Sequence, residues 1–369
     1  MVVGMALWNF LQDPVALTRV LGWVALGMLL SLLLLFLLVV LQRIAVDQEA
    51  RAERRVFEGF AHALAQGMAV AALPVDPGER LHRRAIARAI AAHVHPDTEA
   101  QLLAAAWFPR LLRRLQRDAR HRHWGRRAAA YEALGQLSAH SLRRELVAAA
   151  QREPHPHAHG TCLQAAARLC SGPDEALEVA RLIGRRHVLS GSFNEGIFRS
   201  LIEAIAQHVD ADQAAVQLRG LFTELEPRPE LLHDALLAAG KSGMATIVPA
   251  LAERHAAPGA TLDVRIACTR ALGGLAPAHP VLVAALRDPD WQVQVSAARL
   301  VQDAQPATVA TLRELLGSPH FHVRRNAALA LHGLGEPGDA ALRASLEGPD
   351  AFAQAISRFA LEAPVVRHA

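Results

Sequence analysis

From Val20 to Leu41 the chain reads VLGWVALGMLLSLLLLFLLVVL, 22 residues without a charge. A helix rises about 1.5 Å per residue, so this run measures roughly 33 Å against a hydrocarbon core of about 30 Å. With no water inside a bilayer, backbone polar groups must be satisfied within the segment, and a lone spanning segment does that as a helix. A cleavable secretory signal is the competing reading. Its apolar region would be about 7–15 residues long, led by positive charge and followed by small residues. Here the run is longer, Arg19 is the single basic side chain ahead of it, and LQRIAVDQ after it makes a poor cleavage site. The expectation is one transmembrane helix over 20–41.

Basic residues flank the run unequally, with Arg19 before it and Arg43, Arg51, Arg54 and Arg55 soon after. The positive-inside tendency puts residues 1–19 outside the cytoplasm or at the outer interface, and the large C-terminal part inside it, as a single-pass protein of a bacterial inner membrane. Trp8, Phe10 and Leu11 suit an interfacial stretch, and Asp13-Pro14 reads as a helix cap with proline at the first helical position. Beyond the span, Phe57, Phe60, Leu64 and Met68 recur at steps of three and four, which predicts an amphipathic helix in a juxtamembrane region, 42–78, closed by LPVDPG. A helical region is expected over 79–127. Its first helix carries Leu81, Ile86, Ile90 and Val94 and stops at His95-Pro96; Asp97 then caps a second through Leu102, Leu103, Ala106, Leu111 and Leu115.

With 52% hydrophobic but only 5% aromatic residues, any core must be aliphatic. Over 128–369 the pattern turns repetitive. Pro289, Pro319 and Pro349 stand 30 residues apart, WQVQVSAARLVQDA (291–304) aligns with FHVRRNAALALHGL (321–334), and DVRIACTRALGGLA (263–276) matches with a shift of one. Val264, Val293 and Val323 then share one position. Second helices, PVLVAALRDP, PATVATLRELLGSP and PGDAALRASLEGP, lie between them, so each unit is a helical hairpin. Neither helix of such a hairpin buries its apolar face alone, and stacking neighbours produces a continuous core. About seven units are expected, with a final helix near 351–361 as the cap.

VRRNAALALHGLGEPGDAALRASLEGP, with its valine-arginine pair, small-residue run, Leu-Gly turn and closing proline, resembles the HEAT-like repeats of bacterial proteins, and DVRIACTRALGGL is similar. The resemblance is strong over 259–349, weaker over 128–258 and absent before about 100. It implies an all-α chain: a right-handed α-solenoid of HEAT-like hairpins following one N-terminal transmembrane helix. Arg265 and Arg324 follow their valines in the family manner and should brace neighbouring repeats through carboxylates or carbonyls, while Gln294 departs from that pattern. Trp291 and Phe321, just before the valine position, are expected to staple the helix start to the repeat core. The family covers scaffolds, bilin lyase subunits and DNA-repair relatives, so it implies fold more firmly than activity.

The segment RLLRRLQRDARHRHWGRR carries the densest charge. Arg110, Arg113, Arg114, Arg117, Arg120, Arg122, Arg126 and Arg127, with Trp124, are candidates for binding a protein partner or anionic lipid. The plain alternative is the polar face of an amphipathic helix backed by Leu111, Leu112 and Leu115. Nucleic acid ranks below both, because the net charge is only +4 and the chain is tethered. His155, His157 and His159 in HPHAHG are the sharpest metal candidates, but a spacing of two points side chains apart on a helix, and the segment reads as a solvated loop. Cys162, Cys170 and Cys268 fit no disulfide framework and read as buried thiols. No nucleophile elbow, phosphate loop or HExxH helix is present, and Gly240-Lys241-Ser242 lacks the glycine and strand a phosphate loop needs. No catalytic residue and no cofactor are assigned. The expected function is a scaffold that recruits a protein partner, in an assembly that handles an envelope polymer or relays a signal; the alternatives are a lyase-type enzyme subunit with a site in the concave face, and binding of nucleic acid or lipid through Arg110–Arg127.

Overall fold

A computed structural model describes residues 14–93, 98–206 and 209–363. The expectations for Trp8, Phe10, Leu11, Asp13, Val94, His95, Pro96 and Asp97 lie outside the described residues. Among those described, all regular structure is helical and no strand forms. The chain divides into two compact units, Met1–His93 and Val94–Ala369.

In the first unit, α1 (Pro14–Ala65) is one continuous helix of 52 residues, about 78 Å long at 1.5 Å per residue. From Gly22 onward it is long and apolar enough to cross a membrane, and residues 22–39 are exposed throughout. The helix does not stop where the apolar run does. No proline or glycine interrupts residues 42–58, and Arg43–Asp47 (3.6 Å) and Arg54–Glu58 (3.4 Å) add i,i+4 pairs. It ends at Ala65, ahead of LPVDPG, because Gly67 turns the backbone into the left-handed region at φ +84°. Met68 therefore lies beyond the helix and is 44% exposed. Helix α2 (Arg80–Ala92) packs back on α1 through buried Ile86 and Ile90, with Phe60 edge-on to His82 at 5.5 Å. Arg84 and Arg88 reach Glu53 at 3.6 and 3.1 Å.

The second unit opens with α3 (Thr98–Ala104) and α4 (Phe108–Ala119), followed by seven hairpins. Their first helices are α5 (Trp124–Gln136), α7 (Pro156–Arg168), α9 (Gly191–Ala206), α11 (Pro229–Gly240), α13 (Leu262–Leu275), α15 (Trp291–Leu300) and α17 (Phe321–Gly333). Their second helices are α6 (Arg143–Ala150), α8 (Pro173–Ala180), α10 (Ala211–Leu225), α12 (Val248–Ala256), α14 (Pro280–Ala285), α16 (Pro306–Glu314) and α18 (Glu336–Leu346). Helix α19 (Ala351–Glu362) closes the stack. Each first helix packs against the first helix of the next hairpin, from α5 through to α19, and the second helices form the other layer. The result is a two-layer α-solenoid.

Small residues set the spacing of the first layer. A Cβ on Gly135 would come within 2.6 Å of Ala165, and one on Gly240 within 2.5 Å of Ala271, so neighbouring helices approach where glycine meets alanine. Between the layers Leu, Ile, Val and Ala fill the interior, which matches the aliphatic core that the composition requires. Val264, Val293 and Val323 are buried at equivalent positions. All three cysteines are buried, and burial pushes the thiols of Cys170 and Cys268 up to about 12.

The fourth residue of the first-layer helices carries a repeated device. Arg324 donates through Nη1 to the carbonyls of Ser318 and Pro319 (2.7 and 3.1 Å), and Arg265 to that of Ala260 at 3.0 Å. Gln294 and Gln354 donate to the carbonyls of Asp288 and Gly348 at 2.8 and 2.7 Å. Each side chain folds back over the loop that precedes its own helix and satisfies carbonyls of that loop. Arg265 also pairs with Asp288 (3.1 Å) and Asp290. Gln294 keeps the carbonyl bond and has no charge for a carboxylate, which is how the stack tolerates the departure from arginine.

Candidate functional site

Helix α4 forms where Phe108, Leu111 and Leu115 repeat at three and four and Pro109 occupies its first turn; all three apolar side chains are buried and Leu112 is half-buried. The opposite face is arginine. Arg110, Arg113, Arg114 and Arg117 are exposed on α4, and Arg120 and Arg122 on the loop that follows. His123 then caps α5, its Nδ1 accepting from the Gly125 N–H at 3.2 Å. The basic stretch is therefore the end of one helix, a tight loop and the first turn of the next.

Arg113, Gln116, Arg117, Arg120, His121 and Arg122 line an open groove of about 660 Å³. It adjoins a second hollow of about 400 Å³ walled by Arg127, Tyr131, Glu145, Arg152 and Glu153. His121 sits below the usual imidazole range through desolvation and the charges of Arg126 and Arg122. Its Nδ1 accepts from the His123 N–H at 3.0 Å. Among the described residues, none gives Arg110, Arg113, Arg114, Arg117, Arg120 or Arg122 a side-chain hydrogen bond or ion pair.

Arginines deeper in the stack are engaged. Arg143 meets Glu175 at 3.0 Å and also Glu178, Arg181 meets Glu224 at 3.2 Å, Arg219 meets Glu253 at 3.1 Å, and Arg287 meets Glu314 at 3.2 Å. Unpaired arginines elsewhere, such as Arg270 and Arg313, are scattered. Composition follows the same division: residues 98–152 hold eleven arginines and four carboxylates, whereas 153–263 hold fourteen carboxylates and nine basic side chains. The start of the solenoid carries a surplus of seven positive charges and the next stretch a deficit of five.

The groove rests on a buried centre. Glu153, 3% exposed, takes both arms of Arg127: Nε to Oε2 at 2.8 Å and Nη2 to Oε1 at 2.5 Å. It also accepts from the Tyr131 hydroxyl (3.1 Å) and the His155 N–H (3.0 Å). Burial alone would raise its pKa, but Arg127 and the His155 N–H outweigh that and hold the carboxyl below its usual range. The remaining Nη1 of Arg127 donates to the carbonyls of His121 and Arg122 at 2.9 and 3.0 Å. Arg127 is thus the fourth residue of α5, in the bracing register of Arg265 and Arg324, and it fixes the loop that presents Arg120 and Arg122.

The histidines of HPHAHG go to separate surroundings. His155 stacks on Trp124 at 4.2 Å, His157 lies edge-on to Trp124 (5.3 Å) and Phe193 (5.0 Å), and buried His159 contacts the Ala150 carbonyl through Nδ1 at 3.0 Å. The segment forms the first turn of α7 and is not a loop, because Pro156 occupies the first helical position. Trp291 repeats the arrangement, stacking on His320 at 5.1 Å and His322 at 6.3 Å of the following hairpin. Phe321 departs from the expected staple. It is 53% exposed, and the Arg324 guanidinium lies 5.9 Å from its ring and 4.8 Å from that of Phe352.

Glu153 and Tyr131 were not distinguishable as site residues in the sequence, since their partners lie 22 to 26 positions apart. The role of Arg127 did leave a signal: an aromatic at the helix start and a polar hydrogen-bonding residue three later recur in WGRR, WQVQ and FHVR. Comparison with known families finds HEAT repeats over residues 279–362, within a second unit whose described helices stack as an all-α solenoid. No curated protein matches the sequence.

Proposed function

We propose that this HEAT-repeat solenoid is a membrane-tethered adaptor, not an enzyme, and that it recruits a protein partner to the cytoplasmic face of a bacterial inner membrane. HEAT repeats commonly serve as protein-interaction scaffolds, and the length and apolarity of α1 support an anchor. The excess of Arg43, Arg51, Arg54 and Arg55 over Arg19 supports a cytoplasmic solenoid, with an envelope-polymer or signalling assembly as the setting. Anchoring raises the effective concentration of whatever the stack holds. The observation that carries the reading is the cluster of guanidinium groups lining one groove, unengaged among the described residues, in a stack that neutralises Arg127, Arg143 and Arg265 with carboxylates. Tyr131 and Glu153, which could serve in acid–base chemistry, are committed to each other and to Arg127.

The test is capture from detergent-solubilised membranes of the native host, using the full chain and a variant lacking residues 14–41. A partner retained by the tethered stack and depleted by deletion of the anchor supports the adaptor. Purification of the full chain as a lone protein, at low salt and under crosslinking, would overturn it.

A further inference from the structure

We infer that the groove along Arg113, Arg117, Arg120 and Arg122 receives an acidic protein segment that alternates carboxylates with neutral or apolar side chains. This rests on the adaptor reading and names its ligand. Arg113 and Arg117 lie one turn apart on α4, and Arg120 follows at its end. From Arg113 to Arg120 the helix rises about 10 Å. An extended peptide covers about 7 Å in two residues, close to the roughly 6 Å rise from Arg113 to Arg117, so carboxylates two residues apart meet successive guanidinium groups, which bind carboxylates by a two-pronged fork.

Three observations favour a peptide over other polyanions. The groove is short, and a nucleic-acid backbone gains affinity in proportion to the number of phosphates neutralised along a track. Trp124, two residues after Arg122, is 39% exposed but has His155 stacked on it at 4.2 Å, so it is not a free platform for a base. Glu145, held by Gln116 at 2.9 Å, and Glu153 wall the adjoining hollow. Continuous phosphate charge laid there meets like charge, whereas a segment with neutral side chains at those places does not. A concave site also suits a protruding segment better than the flat array of headgroups on a bilayer.

The experiment uses the full chain in detergent micelles and a fluorescein-labelled twelve-residue peptide alternating glutamate with leucine and serine. Fluorescence anisotropy is read across a salt series, with twelve-nucleotide single-stranded DNA and soluble dioctanoyl phosphatidylglycerol as competitors. Saturable binding that weakens with salt, and that falls about tenfold or more in Arg113→Gln/Arg117→Gln/Arg120→Gln, is expected. The competitors should displace the peptide only at concentrations about tenfold higher than unlabelled peptide. Circular dichroism checks the helicity of the triple variant, and the single variant Arg117→Glu supplies the same reading should the triple variant misfold. No binding at low salt, binding unchanged in the variants, or tighter binding of the DNA or lipid overturns the inference. The two readings fail separately: a partner captured from membranes but indifferent to the triple variant removes the groove and leaves the adaptor, whereas peptide binding with no membrane partner removes the adaptor.

Discussion

The start of the second unit and its C-terminal hairpins use the same residue for opposite ends. At the fourth position of α13 and α17, Arg265 and Arg324 fold inward and close the loops of their own repeats. On α4 and its following loop, arginines outside that register face a groove in which, among the described residues, none pairs with their side chains. Position within the repeat, not residue type, separates a brace from an exposed guanidinium. The start of the second unit holds both kinds side by side, since Arg127 on α5 braces the preceding loop that carries Arg120 and Arg122.

The largest effect should come from breaking the buried centre. Glu153→Ala leaves the Arg127 guanidinium largely buried without its carboxylate and should cost about 3 kcal/mol, read as a lowered thermal midpoint of the full chain in micelles; an unchanged midpoint would show that the brace is dispensable. Gly135→Leu should follow at about 2 kcal/mol, because its side chain must enter the space of Ala165 and force α5 from α7. The contrast itself is sharpened by paired single variants. Arg265→Ala should lower stability by about 1–2 kcal/mol through loss of a charge-assisted brace, whereas Arg117→Ala should stay within about 0.5 kcal/mol. Equal effects would break the distinction between brace and groove.

The smallest effect concerns pH. Burial holds His159 and His255 below the ordinary imidazole value of 6.5, so the unfolded chain takes up protons first as pH falls. Their contribution is complete above pH 6.5 and is lost as pH drops below it toward the lowered native values. His159→Asn, which keeps a donor near the position of Nδ1, should flatten that part of the stability profile. Glu153 acts with the same sign in a lower window, since its native pKa lies below the ordinary 4.5.

Much of the architecture was legible from periodicity. The apolar run became the exposed part of α1, the proline spacing marked the last hairpins, and Val264, Val293 and Val323 took one buried position. Three boundaries shifted for local reasons: Gly67 ended α1 early, the helix expected through Leu102 and Leu115 broke into α3 and α4 with Pro109 in the first turn of α4, and Pro156 drew HPHAHG into the start of α7. The arginine stretch was visible as charge, but its division into seven exposed groups and one brace was not.

Which side of a helix is apolar is written in steps of three and four, so the sequence alone determined the helices, their pairing into hairpins and the stacked all-α form. Which carboxylate meets which arginine depends on how one hairpin lies on the next, across separations such as the 26 residues between Arg127 and Glu153. No local period encodes that distance. The tertiary structure alone therefore decided that Arg127 is largely buried and neutralised, and that Arg113, Arg117 and Arg120 line a groove in which no described residue pairs with them.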